Sequence, residues 1–101
     1  MTRWVTIASN LEDAREALTL VRDRPGAWAT AGVHPHEAGG APEDVIDQIR
    51  ELASTQEKIV AIGETGLDFY YDNAPRDVQR RLFAAHLALG FELDLPVVVH
   101  A

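Results

Sequence analysis

Two carboxylates, Glu64 and Asp68, stand four residues apart in Ala-Ile-Gly-Glu-Thr-Gly-Leu-Asp (61–68), directly after an apolar run that ends at Ile62. Three other places also put polar or ionisable residues just after a short β-branched run. They are Ser9-Asn10 after Val5 to Ala8, His34-Pro35-His36 after Trp28 to Val33, and His100 after Val97-Val98-Val99. Ligands of parallel α/β proteins bind at the carboxyl ends of the strands. Glu64, His100 and His34 can therefore converge on one rim, and oxygen and imidazole donors from several strands are what a hard or borderline cation needs. With zero cysteines there is no thiolate site, so the expected metals are Zn, Mn or Mg.

Each of these residues also has a plainer role open to it. Glu64 could cap a turn or the following helix, and His100, beside an apolar strand, could be structural. His34 and His36 flank a proline in a strand-to-helix loop. Near a binding rim they could contact phosphate or assist proton transfer, because an imidazole titrates near neutrality; equally, His36 could only order the loop. His34, closer to the strand end, is the stronger candidate. Asp68 could orient a metal ligand or solvent, or close its own turn. Tyr70 and Tyr71 could stack on a base, although packing the loop against the scaffold suits an aromatic pair better. His86 lies beside the Leu82–Leu89 apolar stripe and reads as structural. Arg76, Asp77, Arg80 and Arg81 read as a solvated helix face.

The elements that must position these residues alternate along the chain. Trp4 to Ala8, Ala27 to Val33, Ile59 to Ile62 and Val97 to Val99 read as strands. Between them run helical patterns. The first is capped by Asn10, carries Glu12 and Asp13 in its opening turn, and closes at Pro25-Gly26. The second opens at Pro42, with Val45, Ile49 and Leu52 as its buried stripe. The third starts at Asn73-Ala74-Pro75, with Val78, Leu82, Ala85 and Leu89 on one face. A β-α-β-α-β-α-β order predicts parallel pairing with right-handed crossovers. Apolar runs without strict alternation predict strands covered on both faces. The expected fold class is α/β: four parallel strands and three helices of a partial (β/α)8 TIM barrel, whose complete form takes roughly 250 residues.

The composition narrows the function classes. At 101 residues, 47% hydrophobic and 25% charged, the chain suits one small soluble domain. A net charge of −7 argues against a protein that grips nucleic acid through a broad basic surface. It leaves open an enzyme whose bound cations attract phosphate locally. No run is long enough for a membrane span and the N-terminus lacks a secretory pattern, so a cytoplasmic protein is expected.

Taken together, four segments resemble the TatD family of metal-dependent hydrolases: Gly-Val-His-Pro-His (32–36), Ala-Ile-Gly-Glu-Thr-Gly-Leu-Asp-Phe-Tyr-Tyr (61–71), Gln79 with Phe83, and Leu-Pro-Val-Val-Val-His (95–100). They occur in order over nearly the whole chain. The resemblance implies an amidohydrolase-like (β/α)8 barrel and a metal-dependent deoxyribonuclease, with DNA as substrate and two divalent ions in the complete enzyme. It implies that Glu64 matches the family's metal-ligating, often bridging, catalytic glutamate, and that His100 matches the histidine ligand ending the next strand. His34, His36 and Asp68 are then the substrate-side candidates.

The departures are equally specific. The family's opening His-x-His pair has no counterpart before Val5, and its later His and Asp would fall beyond Ala101. The arginine that usually follows the His100 motif is absent, and Gly90 stands where alanine is usual. The expectation is one partial barrel domain over 1–101, truncated at both ends and covering strands two to five. Such a chain is expected to be incomplete as an enzyme and to self-associate through open barrel edges. The alternatives are a small non-catalytic α/β binding module and a fragment of another amidohydrolase-like enzyme.

Overall fold

The computed structural model describes residues 3–69 and 74–100. Tyr70 and Tyr71, together with Asn73 at the expected helix start, lie outside the described residues. Four strands, β1 (Trp4–Thr6), β2 (Ala27–Ala31), β3 (Ile59–Gly66) and β4 (Val97–His100), alternate with three helices, α1 (Leu11–Val21), α2 (Val45–Thr55) and α3 (Arg76–Leu93). All strand pairs are parallel, in the order β1-β2-β3-β4. A sequential parallel order with right-handed crossovers places every helix on the same face. The result is the expected curled half-barrel.

The core is built from small and β-branched residues. Leu11, Ala14, Leu18 and Val21 of α1 bury against Ala27, Ala29 and Ala31 of β2 and their neighbours. Val45 and Ile49 of α2, with Leu82 and Leu89 of α3, close the same layer over Ile59 and Ile62 of β3. The Asn10 side chain accepts a 2.9 Å hydrogen bond from the Asp13 amide, the capping role its position foretold.

Several boundaries differ from the sequence reading, each for a local reason. β1 ends at Thr6 rather than Ala8, because the Ala8 amide donates to the Thr30 hydroxyl (3.0 Å) instead of to a ladder partner. β2 stops at Ala31, two residues before Val33. Beyond it, Pro35–Gly40 forms a 3₁₀ helix that hydrophobic periodicity gives no means of reading. α2 starts at Val45, three residues after Pro42, whose carbonyl instead accepts the Val45 amide at 3.1 Å. α1 ends at Val21, well ahead of Pro25.

β3 departs furthest from expectation. It runs to Gly66, not Ile62, and so carries Glu64 within the strand. Gly63 pairs with Val98 and Thr65 with Val99, so Glu64 is the extra residue of a bulge against β4. Such bulges re-aim a side chain. Gly63 and Gly66 flank Glu64-Thr65 at φ 141° and 140°, backbone that residues with a Cβ rarely adopt. A Cβ on Gly63 would also stand 2.6 Å from the Val98 carbonyl oxygen.

Gly90 has a packing reason that outweighs its poor helix propensity. A Cβ there would collide with the Val97 side chain and approach the Leu95 carbonyl to 3.0 Å. The glycine lets α3 lie close against the start of β4, the strand that ends in His100.

Candidate metal centre

Five side chains meet at the carboxyl-end rim: His34 after β2, His36 in the 3₁₀ helix, Glu64 in the β3 bulge, Asp68 just beyond β3, and His100 at the end of β4. The Glu64 carboxylate lies between two imidazoles, with Oε1 3.8 Å from His34 Nε2 and Oε2 3.7 Å from His100 Nδ1. The three rings crowd one another. Centroids of His34 and His36 are 4.5 Å apart, those of His34 and His100 4.6 Å. Asp68, its side chain 8% exposed, sets Oδ2 2.6 Å from His36 Nε2 and 3.3 Å from His100 Nε2.

The backbone supports of this rim come from Ala8, Ser9 and Thr30, none of them a ligand candidate in the sequence. The buried Thr30 hydroxyl donates to the Gly63 carbonyl (2.7 Å) while accepting the Ala8 amide, joining three strand ends. The Glu64 amide donates to the Ala8 carbonyl (3.0 Å), and the His34 amide to the Ser9 carbonyl (2.8 Å). Ser9-Asn10, the fourth polar place after a strand, thus serves the scaffold. A threonine amid the alanines of β2 is the one sequence hint. His86 is fully buried, its Nε2 accepting the Val33 amide (3.0 Å) and its Nδ1 bonded to the Leu82 carbonyl (2.6 Å). That fixes the tautomer, with the proton on Nδ1.

One ligand atom each from His34, Glu64 and His100 can be chosen so that all lie within 4.8 Å of one another. Hydrogen bonding separates the two histidines. His34 Nδ1 accepts the His36 amide N–H at 3.1 Å, as the cap of the 3₁₀ helix. The neutral ring then carries its proton on Nε2, the atom facing Glu64. A protonated ring nitrogen donates and does not ligate. Burial lowers the His34 pKa; Glu64 opposes that shift, while His100 and His36 reinforce it. The neutral His34 ring therefore presents an N–H donor to the rim.

His100 is arranged the other way. Its Nε2 faces the Asp68 carboxylate, which leaves Nδ1 bare toward Glu64. A carboxylate behind a ligating imidazole fixes its tautomer and orientation. Two donors on a tetrahedral cation at ~2.1 Å stand about 3.4 Å apart, close to the 3.7 Å between His100 Nδ1 and Glu64 Oε2. The donor set, one carboxylate and one oriented imidazole, fits a divalent cation. The groove lined by Asn10, Arg15, Val33, Glu37 and Gln48 contains none of these five side chains.

The comparisons with known proteins give the family. The family model of TatD related DNase matches residues 1–101, and the chain belongs to that family. It is 40% identical over 101 residues to a 3'-5' ssDNA/RNA exonuclease TatD of Musicola paradisiaca, covering 99% of this chain and 38% of that protein. It is 35% identical over 98 residues to YabD of Bacillus subtilis, named an uncharacterized metal-dependent hydrolase, covering 97% of this chain and 38% of the relative. The crystal structure of YJJV, a TatD homolog from Escherichia coli K12, superposes with a TM-score of 0.87 at 28% identity, over 97% of this chain and 38% of that one. The chain thus spans under two-fifths of the length of these relatives. No helix among the described residues is long and apolar enough to cross a membrane.

Proposed function

We propose that this chain carries part of the active rim of a metal-dependent phosphodiester hydrolase acting on DNA. Glu64 and His100 are its metal ligands, and the cation is Zn, Mn or Mg, two ions serving the complete site. One observation carries the reading. In a chain of the TatD related DNase family, a bulge aims Glu64 at the bare nitrogen of a histidine whose other nitrogen faces a carboxylate. A bound divalent cation supplies Lewis acidity toward a phosphoryl oxygen and acidifies water. His34 Nε2–H donates to a non-bridging phosphate oxygen, adding no charge of its own. Asp68 orients His100 and, with His36, borders the substrate side. The relatives named as 3'-5' ssDNA/RNA exonucleases make a single strand the natural first substrate.

A dinuclear site takes roughly four or five protein ligands held to about 0.5 Å. Two ligands leave cleavage weak, and β1 and β4, each paired on one side among the described residues, favour self-association. Nucleotide release from labelled single-stranded DNA with Mg²⁺ or Mn²⁺ should stay near background for this chain alone. Light scattering should show mass rising with concentration. Robust turnover by a monomer, abolished in Glu64→Ala, would mean that further ligands are dispensable.

A further inference from the structure

We infer that Gln79 of α3 is a positioning residue for the metal centre, acting through Asp68 on His100; this rests on the reading of His100 as a ligand. Gln79 is 1% exposed, and its whole carboxamide is used. Oε1 accepts the Asp68 amide at 2.7 Å, while Nε2 donates to the Ala74 carbonyl at 2.9 Å and to the Asp68 carbonyl at 3.3 Å. One side chain thus binds both backbone polar groups of Asp68, as a neighbouring strand would, at the point where β3 has ended.

The consequence is geometric. The pairing of β3 with β4 ends at Gly66, and two residues further on the Asp68 carboxylate reaches His36 and His100 together. The Gln79 clamp fixes the backbone from which that carboxylate projects. Ala74, just ahead of α3, is tied to the same amide. A buried polar side chain with three partners is costly to keep unless all are satisfied. Core packing alone would be served by leucine at this place. Only a primary amide offers an acceptor and donors side by side. Glutamate matches its shape but turns repulsive oxygen on two carbonyls.

The test reads metal affinity and ring tautomer apart from stability. Zn²⁺ is titrated calorimetrically into the wild-type chain, Gln79→Leu, Gln79→Glu, Asp68→Asn and the Gln79→Leu/Asp68→Asn double variant, each folded by circular dichroism at the titration temperature. Removing an outer partner of a ligand costs about 10–100-fold in affinity, and Gln79→Leu is expected in that range. In the Asp68→Asn background the same change should add less than about threefold, since coupled residues are non-additive. Full additivity, or unchanged affinity in Gln79→Leu, overturns the inference. Imidazole ¹⁵N shifts give a readout without metal. His100 should hold its proton on Nε2 in the wild type and become a tautomer mixture in Gln79→Glu. An unaltered His100 tautomer in that variant also overturns it. If Zn²⁺ binding is indifferent to Glu64→Ala, the metal reading fails, while the ¹⁵N arm still decides whether Gln79 governs His100.

Discussion

Glu64→Ala should lower divalent-metal affinity by more than the roughly 10–100-fold that loss of an outer-shell partner costs, with little loss of fold. The side chain is 28% exposed and is not part of the buried apolar core. Its backbone anchors, the Ala8 carbonyl and the Thr30–Gly63 bond, do not involve the carboxylate. Loss of the anion leaves His100 Nδ1 as the remaining assigned ligand atom. Titration of Mn²⁺ followed by electron paramagnetic resonance measures the effect. Glu64→Gln should behave alike, because a neutral amide keeps the shape and loses the charge. A variant that binds Mn²⁺ as the wild type does would remove Glu64 from the centre.

The second large effect is on stability. His86→Leu keeps an apolar side chain in the α3 core but leaves the buried Val33 amide without its acceptor. An orphaned buried donor costs about 1–3 kcal/mol. At ~4–8 °C per kcal/mol for a chain of this size, the melting temperature should fall by about 5–20 °C. The wild type should also lose stability in acid through this residue. Burial lowers the His86 pKa from the ordinary 6.5, with the Leu82 carbonyl opposing the shift. Between 6.5 and the lowered folded value the unfolded chain holds more protons, so stability rises with pH there. His86 thus contributes fully above about pH 6.5, and its contribution falls as the pH drops toward the folded value. The lowered pKa of His34 acts with the same sign. Melts from pH 5 to 8 should show a steeper acid loss in the wild type than in His86→Leu; equal slopes would contradict the assignment.

The parallel β/α alternation was legible because β-branched runs and 3.6-residue stripes are strong, local signals. The rim residues were legible because strand ends are where a parallel sheet exposes them, and Glu64, His34, His36, Asp68 and His100 all stand there in the structure. What stayed hidden was non-local. The Glu64 bulge depends on register against Val98 and Val99. The division of labour between His34 and His100 depends on which ring nitrogen meets the His36 amide or Asp68. Gln79 entered only as part of a family pattern, since no spacing rule links residue 79 to residue 68. Gly90 counted against its helix by propensity, and only its contact with Val97 explains it.

We expect Glu64 and His100 to hold a divalent cation while His34 donates. Zn²⁺ titration followed by imidazole ¹⁵N resonances tests it on the wild-type chain, because the sequence holds four histidines with four distinct expectations. His100 Nδ1 should show the large shift of metal coordination. His34 should keep its proton on Nε2 and shift modestly, His36 should move little, and buried His86 should not respond. Coordination shifts at His34 Nε2, or none at His100, would contradict these ligand assignments.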